Sequence, residues 1–121
     1  MGMTKIDTLG RIILPEDAIQ KLSLTHQQNL LITLDEASSR LVLQPAEECA
    51  DPFSTGREMR ERQAAMKQLP TSQWRYIRGI DSQNMLVLPK AMRNVLGWTE
   101  VTPLHIFVVE GHIYIERTKN N

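Results

Sequence analysis

The sequence predicts a mainly β fold with short helices, in which two copies of a unit of about 40 residues share one pseudo-twofold barrel core. Three observations carry this expectation. From Ile6 to Leu34 the chain matches itself without a gap when slid by 74 positions, each copy holds two runs of alternating apolar and polar residues, and a proline closes a short apolar strand at the same place in both.

The shift sets Ile6-Asp7-Thr8 over Ile80-Asp81-Ser82, Ile12 to Pro15 over Leu86 to Pro89, and Leu22 over Leu96. It continues through Thr25 over Thr99 and Leu30, Ile32 and Leu34 over Leu104, Ile106 and Val108; after a two-residue change in turn length, Leu41 and Leu43 fall over Ile113 and Ile115. In each copy a strand (Ile12 to Leu14; Leu86 to Leu88) stops at a proline, which has no N–H for a ladder and suits a helix start. The helix that follows is expected to turn Ala18, Ile19 and Leu22 inward in copy one, and Ala91, Met92, Val95 and Leu96 in copy two, ending at Ser23 and at Gly97. Two alternating strands complete each copy: Asn29 to Leu34 with Arg40 to Gln44, and Leu104 to Val109 with His112 to Glu116. Glu110-Gly111 reads as a tight hairpin turn and Asp35 to Ser39 as a looser one.

Residues 1–48 form the first repeat, 49–73 a connector and 74–121 the second repeat. Neither repeat has enough apolar surface to fold alone, so hairpins from the two are expected to interleave around one core. In the connector, Thr55-Gly-Arg-Glu58 has the form of a capping box, opening a helix to about Leu69 that Pro70 closes. Its apolar stripe is thin (Met59, Met66, Leu69), with Arg57, Arg60, Arg62 and Lys67 around it, as in a solvated connector or a partner-binding segment.

The charge is balanced, with 14 basic and 14 acidic residues, so a nucleic-acid site must be local rather than the whole body. It is also polarised: up to Ala50 there are 4 Lys and Arg against 7 Asp and Glu, and beyond it 10 against 7. The lone Cys49 forms no intrachain disulfide and fits a reducing compartment. No apolar run approaches the roughly 18 residues of a membrane span, and the first residues lack the apolar core of a signal peptide. His26, His105 and His112 lack the close Cys, His or carboxylate spacing of zinc sites, and no nucleophile elbow, phosphate loop or nucleotide fingerprint is present. The reading is therefore non-enzymatic, without cofactor or metal.

Asp7-Thr-Leu-Gly-Arg11-Ile-Ile-Leu-Pro15, followed by a short helix and a hairpin, resembles the Asp-x-x-Gly-Arg-hydrophobic-hydrophobic-x-Pro signature of the AbrB, MazE and SpoVT swapped-hairpin transcription factors. Two such copies joined by a helical segment look like the MraZ branch, which carries the motif twice. The matched regions cover about two thirds of the chain. The second copy, Asp81-Ser-Gln-Asn-Met85-Leu-Val-Leu-Pro89, has Asn84 and Met85 where the signature has Gly and Arg.

The resemblance implies a tandem swapped-hairpin, double-split β-barrel and a cytoplasmic, nucleoid-associated transcription regulator whose partner is double-stranded DNA. In that family the loop before the second strand and the base of the short helix present arginines to the duplex. By position, copy one keeps Lys5 and Arg11 but has Thr4, Ile19 and Gln20 at places that tend to be basic. Copy two has Arg78 and Arg93 at the positions matching Thr4 and Ile19. Lys21, Arg75 and Lys90 complete the candidate DNA contacts, and the two half-sets are expected to form one composite face. Against this stands a plainer role in which Arg11 braces its loop through Asp7, and Arg78 and Arg93 are solvated charges.

Trp74, Tyr76, Trp98, Phe107 and Tyr114 read as core and interface; Trp98, Phe107 and Tyr114 exceed what so small a barrel can cover, which points to a homo-oligomer. The alternative is a non-enzymatic oligomerisation or partner-binding module, antitoxin-like or a scaffold, with residues 52–69 as the partner segment.

Overall fold

The structure, a computed structural model, describes residues 2–24, 28–46, 65 and 68–118. The first repeat holds β1 (Gly2–Thr4), β2 (Arg11–Ile13), α1 (Glu16–Lys21), β3 (Asn29–Asp35) and β4 (Arg40–Pro45). The second holds β5 (Arg75–Gly79), β6 (Met85–Val87), α2 (Lys90–Leu96), β7 (Leu104–Val109) and β8 (His112–Arg117), preceded by a 3-10 turn at Thr71–Gln73. The fold is mainly β. The connector helix expected from Thr55 lies largely outside the described residues, as does the partner segment 52–69 for all but Ala65, Gln68 and Leu69.

Strand pairing exchanges elements between the repeats. β1 pairs with β7, from Gly2 opposite Ile106 to Thr4 opposite Leu104, and β5 pairs with β3, from Asn29 opposite Gly79 to Thr33 opposite Arg75. These registers obey the 74-residue shift: Ile106 faces Gly2 as Ile32 faces Tyr76, and Leu104 faces Thr4 as Leu30 faces Arg78. The like strands of the two repeats pair with each other across the pseudo-twofold axis. β2 meets β6 about Ile12 and Leu86, and β4 meets β8 about Val42 and Tyr114.

The result is a six-stranded antiparallel sheet, ordered β1-β7-β8-β4-β3-β5, and a separate β2-β6 ribbon. In place of the closed barrel that the repeat predicts, the larger sheet ends on β1 and β5, and two sheets share one core. The reason lies in strand length: β2 and β6 have three residues each, enough to pair with one another but not to bridge both edges of the larger sheet.

Alternation sorts the side chains. Leu30, Ile32, Leu41, Leu43, Leu104, Ile106, Ile113 and Ile115 point inward and are buried, joined from the ribbon by Ile12, Leu14, Leu86 and Leu88. Each helix places one residue at the centre of this cluster, Ala18 and Met92, with Ile19, Leu22, Ala91 and Leu96 packed at its rim. Val95 instead faces outward, 39% exposed, because a seven-residue helix has room for only a narrow buried stripe. Trp98 is buried at 5% exposure, so it belongs to the core and not to a surplus left for an interface. Trp74 and Tyr76 are buried as expected.

Both helices stop on a left-handed residue, Ser23 and Gly97, at matching places. The β7-β8 hairpin turns on Glu110 and Gly111 with φ of 48° and 80°, the positive pair that a tight turn between right-twisted strands requires.

Candidate nucleic-acid interface

The loop between the first and second strands of each repeat is built around one aspartate. The Asp7 carboxylate Oδ1 accepts the backbone N–H groups of Leu9 at 2.9 Å and Arg11 at 2.8 Å. Asp81 Oδ1 accepts those of Gln83 at 2.8 Å and Met85 at 2.9 Å. Each turn then needs a residue at positive φ, Gly10 at 81° in the first and Asn84 at 62° in the second. Asparagine is among the few side chains that visit this region readily, so the second loop keeps the geometry of the first with Asn84 in place of Gly10.

Each loop is pinned to the other repeat. Leu88 N–H donates to the Gly10 carbonyl and Leu14 N–H to the Asn84 carbonyl, both at 2.9 Å. The first loop therefore sits beside α2 and the second beside α1. The first is the charged one. Arg11 Nε donates to Asp7 Oδ2 at 2.8 Å, an ion pair with both side chains about one-third exposed. The donated Arg11 backbone N–H and side-chain hydrogen bond hold the Asp7 carboxyl below its ordinary value of 3.8.

Arg93, from α2, reaches over Gly10: a Cβ at Gly10 would lie 2.7 Å from its Cζ and Nη2. Its Nε donates to the Leu88 carbonyl at 3.1 Å. Arg11 and Arg93, from different repeats, thus flank the same glycine. A shallow cleft beside Arg93 is walled by Ile6, Asp7 and Thr8 on one side and Arg93, Trp98 and Glu100 on the other. Lys5 is exposed just ahead of this loop, and Lys90 is exposed on the first turn of α2.

The other candidates lie elsewhere. Arg78 is on β5, leading into the second loop; its Nη1 donates to the Ile77 carbonyl at 3.0 Å and its Cζ lies 5.2 Å from the Tyr76 ring centre. Burial pulls its pKa below the usual arginine value, against an opposing contribution from Tyr76. Lys21 is exposed at the end of α1, and Arg75 is exposed on the outer face of the large sheet, beside Leu31 and Ile77. The structure places the Arg93 guanidinium over Gly10, the residue before Arg11, and gives Arg78, Lys21 and Arg75 separate settings.

The ribbon itself was not legible as surface. Ile13 and Val87 are 55% and 41% exposed between the two loops, with Arg11 opposite Val87 and Met85 opposite Ile13. Ile12-Ile13-Leu14 is apolar throughout, so sequence alone could not say which residue faces out. The two-residue period puts Ile13 on the face opposite Ile12 and Leu14 but does not say which face meets water.

No family model matches the chain, and no curated protein matches it. Among solved structures it is similar to the solution structure of PHS018 from Pyrococcus horikoshii, at 15% identity and a TM-score of 0.45, over 97% of this chain and 86% of that one.

Proposed function

We propose that the protein is a DNA-binding transcriptional regulator, contacting double-stranded DNA through arginines on one face of a tandem swapped-hairpin barrel, of which the two sheets over one core are an open form. The observation that carries this reading is that Arg93 of the second repeat lies over Gly10, next to Arg11 of the first, in the loop whose residues resemble the AbrB signature. Guanidinium groups fork onto phosphate oxygens or guanine edges, and each phosphate neutralised releases condensed counterions. A rigid loop, pinned by an aspartate and by the Leu88 N–H, holds the cations without further ordering cost. The reading is non-enzymatic and places the protein in the cytoplasm with the nucleoid. None of its described helices is long and apolar enough to cross a membrane.

Selection from a pool of random duplexes at physiological salt tests the proposal. Enrichment of a defined sequence is expected, with log affinity falling against log salt by about 0.9 per phosphate contact. No enrichment and no salt-dependent binding would refute it.

A second reading, an oligomerisation or partner-binding module, is favoured by the outer face of the large sheet. There Phe107 and Tyr114 stack at 5.3 Å, with Arg40 4.5 Å over the Tyr114 ring, and all three are half-exposed. A homo-oligomer formed through this face is compatible with DNA binding at the other sheet.

A further inference from the structure

The pseudo-twofold axis makes the two ends of the β2-β6 ribbon equivalent in backbone and opposite in charge. One end consists of the first loop and α2, the other of the second loop and α1. Residues that the axis relates differ at almost every charged position: Arg11 corresponds to Met85, Arg93 to Ile19, Lys90 to Glu16 and Ala91 to Asp17. At the first end Lys5, Arg11, Lys90 and Arg93 outweigh Asp7 and Glu100. At the second, Glu16, Asp17 and Asp81 outweigh Lys21 and Arg78, and the Arg78 guanidinium is folded back onto its own strand.

Helix stability accounts for only one of the two charge sets. Glu16 and Asp17 in the first turn and Lys21 in the last suit the dipole of α1, whereas α2 has no acid in its first turn and Lys90 there opposes its dipole. The cation at Lys90 is thus unexplained by the fold and lies on the end that already carries Arg11 and Arg93.

We infer that each chain engages DNA through one end only, an anchor composed of Arg11 from the first repeat and Arg93 and Lys90 from the second, while the acidic α1 end is turned from the phosphates. The inference rests on the DNA-binding reading above and sharpens it. Two equivalent half-sites arranged as a palindrome are not readable by one chain, because the second half-site would meet Glu16 and Asp17. One chain occupies a single, non-palindromic half-site. An end with four cations against two acids, and without a cationic counterpart, also keeps the affinity of a lone chain low, since only a few phosphates are neutralised.

The test uses the full chain and a fluorescently labelled random-sequence duplex of about 20 base pairs, with anisotropy measured from about 50 to 200 mM salt, where phosphate-driven affinity changes most. Arg11→Met with Arg93→Ile gives the first end the residues that the second already tolerates, so the fold is expected to survive. That variant should lose about two units of salt slope, so that its affinity falls roughly tenfold less than wild type over the range. Lys21→Ala with Arg78→Ala should stay within about twofold of wild type throughout. If circular dichroism shows the first pair to be unfolded, Arg93→Gln alone reads the same end, with a loss of about one unit expected. Equal effects from the two ends, including none from either, would overturn the one-ended anchor while leaving DNA binding in place. So would enrichment of a palindromic site by a monomeric chain. Absence of salt-dependent binding by the wild type would remove the DNA reading and this inference with it.

Discussion

Gly10→Ala separates backbone strain from a specific contact. An L residue at the Gly10 φ of 81° costs about 1–2 kcal/mol, because its Cβ crowds the following carbonyl. Gly97 and Gly111, at 70° and 80°, incur the same strain but have open space where a Cβ would go. At Gly10 the new methyl also collides with the Arg93 guanidinium. The arginine is flexible and moves aside, at the expense of its bond to the Leu88 carbonyl. A charge-assisted hydrogen bond of this kind contributes about 1.5–3 kcal/mol. Half-exposure of Arg93 lets water replace much of that, leaving roughly 1 kcal/mol. Gly10→Ala should therefore cost about 2–3 kcal/mol, and Gly97→Ala or Gly111→Ala about 1–2. Urea melts followed by circular dichroism measure the difference. In an Arg93→Ala background the Gly10→Ala cost should shrink by roughly 1 kcal/mol. Equal costs at the three glycines with no coupling to Arg93 would refute the packing of α2 on the first loop.

Other outcomes follow from the same geometry. The fragment 1–48 lacks the β7 and β5 partners of its own β1 and β3, so it should be unfolded or self-paired; light scattering and circular dichroism showing a folded monomer would contradict strand exchange. Because folding lowers the Asp7 pKa, its contribution to stability is present above the unfolded value, near 3.8, and is lost as pH falls through the folded one. The stability gap between wild type and Asp7→Asn should accordingly be constant above about pH 5 and close on acidification below the unfolded value, as read from melts across pH. Leu43→Ala, at a fully buried site beside the pseudo-twofold axis, should cost about 2–5 kcal/mol. If the outer face joins copies, Phe107→Ser with Tyr114→Ser should reduce the mass seen by light scattering to 13.9 kDa with little change in melting; an unchanged mass would exclude that face.

The repeat, the strands and the helix positions are legible in the residues because each is written in local periodicity. Alternation in Leu30 to Leu34 and Ile113 to Ile115, and a proline closing Ile12 to Leu14, need no knowledge of distant partners. The position of Asp7 and its copy Asp81 is local in the same way, since each carboxylate caps amides two and four residues ahead. Candidate cations can be named, but not grouped, from such information. Which of them converge depends on the exchange of β1 and β5 and on the approach of α2 to Gly10, contacts between residues roughly 40 to 100 apart in sequence. The same holds for the open sheet, the outward turn of Ile13 and Val87, and the burial of Trp98. Pattern reports which face of an element is apolar. Whether that face meets a second sheet, a loop or water is decided by the packing of both repeats together, because neither half has a core on which to close alone.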